Sequence, residues 1–189
     1  MNLMLAKIIA AVIAAGAGAI WLWQNRGAVA KVEAAAVEAV KTAVKKGVHY
    51  NAAIDAALKK WAASYALDLN DVRALVMSES GFGQWLENPL DPSYGIGHFL
   101  ISTAKDWLFK IEGIKYSDAQ VKHILLTDTD RAAHLVCAYL NDLKKSTGSM
   151  EGAVQAYKCG LGLYLKGHRR YDLLTIWAGY RKAYAELYQ

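Results

Sequence analysis

Apolar positions recur every three or four residues along most of this chain, and period-two alternation of β-branched residues is nearly absent. The pattern predicts an almost all-α protein, with helices at about 52–65, 71–80, 101–110, 118–126, 129–145, 150–158 and 169–187. Residues able to cap a helix precede several of these: Asn51, Asn70, Ser117, Asp128 and Ser149. The segment 81–99 is the one long irregular stretch after residue 51. It holds both prolines, Pro89 and Pro92, and Gly81, Gly83, Gly95 and Gly97. A loop of that length inside a compact domain usually carries function.

The first 50 residues have a different texture. Leu3 to Trp23 is apolar all round, with Lys7 as its sole charge. At helical rise that run spans roughly 30 Å, one bilayer core. Trp21 and Trp23 sit where an interfacial aromatic belt would, and Gln24-Asn25-Arg26 follows. Residues 1–26 therefore read as a membrane anchor. The rival is a cleaved signal peptide, for which Ala17-Gly18-Ala19 would serve as cleavage site. The apolar run continues past that point through Ile20-Trp21-Leu22-Trp23, which favours an anchor. Lys7 on one side, and Arg26 and Lys31 on the other, leave its orientation open. Residues 27–50 are Ala-rich, and Val29, Val32, Ala36, Val40 and Val44 form a thin apolar stripe. They read as a helical stalk between the anchor and a domain at 51–189, able to meet envelope or virion partners.

Composition narrows the class. The chain is 54% hydrophobic and 21% charged, which excludes a disordered chain. Net charge is +5, and the densest basic cluster is Lys166-Gly167-His168-Arg169-Arg170. Such a cluster can meet anionic polymer, lipid headgroups or nucleic acid, or be a solvated helix start. No nucleic-acid motif accompanies it, so nucleic acid is not an expected partner. Cys137 and Cys159 lack metal-ligand spacing and sit among apolar helical residues, so buried free thiols are the default. A single disulfide stays open. The histidines share no ligand spacing, so neither a metal site nor a cofactor is expected.

The candidate for chemistry is Glu79. Val72, Leu75, Val76 and Glu79 share one helical face, so a carboxylate lies on a face that otherwise looks inward. Gly81 and Gly83 then break the helix. Partial desolvation there favours the protonated carboxyl, as a general acid requires. The alternative is a helix-end Glu bent out to solvent.

Several motifs, taken in order, carry a resemblance. They are Tyr65-Ala66-Leu67-Asp68, Arg73-Ala74-Leu75, Glu79-Ser80, Asn88-Pro89, Ser93-Tyr94-Gly95-Ile96-Gly97-His98-Phe99 and Ser102-Thr103-Ala104. Asp128 with Tyr139-Leu140, Ala156-Tyr157-Lys158-Cys159-Gly160 and Tyr171 follow. Their order and spacing resemble the lytic transglycosylase domain, the lysozyme-like fold that cleaves peptidoglycan. His98 stands where that family has Gln, and Lys158 where it has the Asn of Ala-Tyr-Asn. Ala132 and Val136 replace polar or small residues of the middle helix.

The resemblance implies a single-carboxylate mechanism. Glu79 protonates the oxygen between N-acetylmuramic acid and N-acetylglucosamine, then accepts the proton of the sugar's C6 hydroxyl as a 1,6-anhydro ring closes. Ser80 would orient a reacting group, and Tyr157 and Tyr171 would position substrate and Glu79. Gly95, Gly97, His98 and Lys158 would meet the glycan, the glycines by letting backbone approach sugar. Glu87, Asp91 and Asp106 could instead supply the second carboxylate of a lysozyme-type hydrolase. Asp91, ahead of Pro92, is expected to make a turn bond to backbone. The rival class is a non-catalytic glycan-binding or structural membrane protein. The enzyme reading places the domain facing peptidoglycan, on a virion inner membrane or a bacterial inner membrane.

Overall fold

The computed structural model describes residues 51–88 and 90–187 of the chain. The anchor and stalk expected over 1–50 lie outside the described residues. Among the described residues, no helix is long and apolar enough to cross a membrane.

Helices dominate: α1 (Ala52–Ser64), α2 (Leu69–Ser80), α3 (Ile101–Glu112), α4 (Asp118–Thr127), α5 (Thr129–Thr147), α6 (Met150–Cys159), α7 (Leu161–Leu165) and α8 (Tyr171–Leu187). The seven expected helices are present, with ends shifted by up to two residues. Asn51, Ser117, Asp128 and Ser149 each accept a backbone N–H as N-caps. Asn70 does not. The cap of α2 is Asp68, whose Oδ1 accepts from Asn70 N at 2.7 Å, while Asn70 Oδ1 accepts from Arg73 Nη1. The last helix opens at Tyr171 rather than 169, because Gln155 Oε1 holds the Arg170 N–H at 3.1 Å. Two elements were not expected. One is α7, too short to show a period. The other is an antiparallel hairpin of β1 (Ser93–Tyr94) and β2 (Phe99–Leu100), in register Ser93 to Leu100 and Tyr94 to Phe99. Strands of two residues show no alternation.

Helix α5 forms the axis of the core, burying Ala132, Ala133, Leu135, Val136, Cys137, Ala138, Leu140 and Leu143. It packs on α1 and α6, and α8 lies along α2. The inward stripe of α2 is as expected, with Val72, Leu75 and Val76 fully buried. Polar links fix its orientation. Arg73 grips Asp55 of α1 through two bonds, Nε to Oδ1 at 2.7 Å and Nη2 to Oδ2 at 2.8 Å. Trp177 of α8 donates to the Asp71 carbonyl at 3.0 Å, and Arg181 pairs with the Asp71 carboxylate. Burial raises the Asp71 carboxyl from its ordinary range, against the lowering by Arg181. These contacts hold α2 from two sides and so fix where its last turn, bearing Glu79, points.

Candidate active site

Helix α2 ends in a turn that the sequence dictates. Gly81 takes a left-handed φ of 61°, its N–H bonds to Met77 O, and Phe82 N bonds to Val76 O. Phe82 continues the left-handed turn at φ 60° and buries its ring against Tyr184 of α8. The Trp85 indole lies over Gly81, where a Cβ would come within 2.6 Å of its ring. Glu79 stands two residues before Gly81, its side chain 13% exposed. It therefore neither joins the core nor bends out to solvent.

Two partners, distant in sequence, converge on it. Lys158, in the last turn of α6, places Nζ 2.5 Å from Glu79 Oε1, with only 9% of its side chain exposed. A cation is favoured at that position by the partial negative charge of a helix C-terminus, and it offsets the same charge at the end of α2. His98 lies on the hairpin turn, its Nδ1 4.0 Å from Glu79 Oε2. Its Nε2 bonds to the Trp85 carbonyl at 2.7 Å. A carbonyl only accepts, so Nε2 carries a proton and the other ring nitrogen, Nδ1, is turned toward Glu79. Nδ1 and Oε2 face each other across a gap too long for a direct bond and suited to a bridging hydroxyl. His98 also holds a left-handed φ of 47°, a cost of about 1–2 kcal/mol for a non-glycine residue.

Two of the positions that depart from the resembling family's pattern, His98 and Lys158, thus face Glu79. Glu79 was expected to be a partly desolvated, protonated carboxyl or to bend out to solvent. Instead it is one half of an ion pair.

The other candidates serve the turn more than the cleft. Ser80 is fully buried; its hydroxyl donates to Ile96 O at 2.8 Å and accepts from Gly83 N at 3.0 Å. It was expected to orient a reacting group, but its hydrogen bonds are spent tying α2 to the hairpin. Gly95 and Gly97 are buried as well. A Cβ on Gly97 would lie 2.6 Å from Tyr157 Oη and 2.7 Å from Val136 Cγ2, and one on Gly95 2.8 Å from the Leu125 carbonyl. Their missing side chains make room for protein rather than for sugar. Tyr157 donates to Gly97 O at 2.8 Å and packs with Phe99 and Tyr139, ring centroids 5.6 and 5.2 Å away. Burial first, and then the charge of Glu79, hold its phenol well above the ordinary value, so it remains a donor. Tyr171 opens α8 with 66% of its surface exposed. Among the described residues, no hydrogen bond or ring contact joins its side chain to Glu79.

The carboxylates considered as a second catalytic group have other neighbours. Glu87 pairs with Lys122 at 3.1 Å. The turn bond expected of Asp91 is made by Asn88, whose Oδ1 accepts from Leu90 N at 3.0 Å; Asp91 contributes its backbone carbonyl to Ser93 N. Asp106 lines a groove of about 480 Å³ with Thr103, Trp107, Phe109, Lys110 and Tyr139. That groove does not include Glu79, and it meets the site through Tyr139, which packs on Tyr157.

Both cysteines are free thiols. Cys137 is buried, which pushes its thiol up to about 12, whereas Cys159 is only half-buried. The basic cluster is partly self-satisfied: Arg169 bonds the Tyr164 carbonyl and lies over its ring, and Arg170 pairs with Asp172. Sequence reasoning missed Trp85. It is half exposed, and its carbonyl fixes the His98 tautomer. Its position in the loop straight after Glu79 was the available signal.

The helical domain thus holds one carboxyl between a helix end, a hairpin turn and a second helix end. Residues 56–177 match the transglycosylase SLT domain, and the chain belongs to that family, whose members are peptidoglycan lytic transglycosylases. Compared with curated proteins, the chain finds no match.

Proposed function

We propose that this protein cleaves the β-1,4 bond between N-acetylmuramic acid and N-acetylglucosamine in peptidoglycan and closes a 1,6-anhydro ring, with Glu79 as the acid. The observation that carries this reading is the placement of Glu79 at the mouth of the turn, mostly withdrawn from water and fixed on both sides. A neutral Glu79 protonates the bridging oxygen, and an oxocarbenium-like sugar forms. Attack by the sugar's own C6 hydroxyl then dispenses with a second carboxylate, which fits the engagement of Glu87 with Lys122. The gap between Glu79 Oε2 and His98 Nδ1 would receive a sugar hydroxyl, and the exposed Trp85 indole offers a sugar a stacking face. Trp85→Ala should raise KM and leave kcat nearly unchanged; an unchanged KM removes Trp85 from the glycan site.

A lysozyme-type hydrolysis of the same bond would leave reducing ends in place of anhydro sugars. A second reading is favoured by the Lys158–Glu79 pair, which occupies the carboxyl with protein. In it the domain holds glycan without turnover, as a structural part of an envelope. Clearing of an isolated peptidoglycan suspension separates the two. Wild-type protein should clear it, and Glu79→Gln, which keeps shape but cannot donate the proton, should slow clearing by at least about hundredfold. Equal rates would remove Glu79 from the chemistry, and no clearing by either would favour the binding domain.

The proposal extends to place. Residues 1–26 anchor the chain, 27–50 lift the domain, and 51–189 face peptidoglycan from a virion inner membrane or a bacterial inner membrane. The same stalk could meet virion or envelope partners. Full-length protein should remain in the membrane pellet after alkaline extraction; release into the supernatant argues against the anchor.

A further inference from the structure

We propose that Lys158 is the catalytic base of this site, so that the acid and base roles are divided between Glu79 and Lys158. The inference rests on the reading of Glu79 as acid and starts from a difficulty in it. Glu79 Oε1 lies 2.5 Å from the Lys158 nitrogen, and the carboxylate of an ion pair has no proton to give. The same contact contains the remedy. Nζ and Oε1 are close enough to exchange a proton directly, so the ion pair and the neutral acid–amine pair are two forms of one contact. Both side chains are nearly withdrawn from water. A glycan closing over them removes the rest, and desolvation penalises the two charges together.

The step then balances without a further reactant. In the neutral pair Glu79 carries the proton and Lys158 is the free amine. Glu79 gives its proton to the bridging oxygen as the bond from the anomeric carbon to that oxygen breaks. The C6 hydroxyl oxygen forms a bond to the anomeric carbon, and its proton passes to the Lys158 nitrogen. The products are a free 4-hydroxyl on one sugar, an anhydro ring on the other, and the Lys158–Glu79 ion pair. Proton transfer within the pair restores the start. His98 keeps a separate task. With Nε2 fixed on the Trp85 carbonyl, it positions a hydroxyl through Nδ1.

Lys158→Arg retains a cation for Glu79, but a guanidinium does not give up its proton. Lys158→Ala opens space where a small amine can bind. On purified peptidoglycan, with folding checked by thermal melting, both variants should lose about 10²- to 10⁴-fold in kcat, while KM stays within about threefold. Ethylamine should restore anhydro product to Lys158→Ala, more so with more basic amines, and guanidine should not. Lys158→Arg within tenfold of the wild-type rate overturns the proposal. So does Lys158→Ala that is faster than wild type, or equal rescue by ethylamine and guanidine, or a loss of anhydro product on His98→Gln with none on Lys158→Ala. Failure of the underlying reading looks different: wild type then releases no anhydro sugar, or Glu79→Gln matches wild type.

Discussion

Ser80→Ala probes how the site is held. The Ser80 hydroxyl lies in a fully buried position between the end of α2 and the hairpin that carries His98. Removing it leaves the Ile96 carbonyl without a donor it met at 2.8 Å and the Gly83 N–H without an acceptor it met at 3.0 Å. Ile96 is itself buried, so solvent cannot replace that bond. A lost hydrogen bond costs about 0.5–1.5 kcal/mol net, and a stranded buried partner about 1–3 kcal/mol. For two partners, one of them at a half-buried glycine, the sum is about 2–4 kcal/mol. For a domain of this size that is roughly a 6–15 °C fall in Tm. Urea unfolding of wild type and Ser80→Ala measures it directly. The hairpin keeps its second tether, Tyr157 Oη to Gly97 O, so the variant folds but holds His98 less firmly. At a temperature well below both melting points, kcat should fall about tenfold to hundredfold, with KM within threefold. An unchanged Tm together with a raised KM would refute the reasoning, because it would mean that the hydroxyl meets sugar.

Other positions give independent checks. Gly97→Ala drives a Cβ to 2.6 Å from Tyr157 Oη and 2.8 Å from Phe99 Cε2, so urea unfolding should show a loss of about 1–3 kcal/mol; a neutral variant would mean that the turn does not pack on the aromatic cluster. Ala66 is exposed at a left-handed φ of 51°, and Ala66→Gly should raise Tm through a gain of about 0.5–1 kcal/mol; a lower Tm contradicts that account. His134 stacks on Trp61 at 3.5 Å and shares a hydrogen bond with Tyr65 Oη at 2.8 Å, and burial lowers its basicity from the ordinary 6.5. The unfolded chain therefore takes up the His134 proton first, so its contribution is present above pH 6.5 and is lost as pH falls toward the lowered folded value. Melting at stepped pH should show this loss as pH falls below 6.5, and His134→Gln should flatten it; an equal slope in both proteins assigns the loss elsewhere.

Local signals made much of the fold legible. Helical period, four of five caps and the glycine stop after Glu79 all act within a few residues, and each was readable. The hairpin was not, because two-residue strands carry no pattern and their pairing spans a turn. The site was legible in part. Glu79 showed itself by lying on an apolar stripe ahead of a glycine turn. What surrounds it did not, because Lys158 and His98 reach it across long sequence separations, and only the fold brings them together. The departures at 98 and 158 were visible one by one as oddities. Their meaning lay in both contacting the same carboxyl. Gly95, Gly97 and Ser80 were read as facing substrate because small and hydroxyl residues serve close approach equally well inside and outside a protein. Burial alone separates the two cases.

The central claim is that Glu79 drives an intramolecular closure rather than a hydrolysis. Mass analysis of muropeptides released from purified peptidoglycan tests it most directly. The account predicts wild-type products lighter by one water than reducing-end muropeptides, and at most trace release by Glu79→Gln. Reducing-end sugars alone from wild type, or anhydro products from Glu79→Gln at near the wild-type rate, would contradict it.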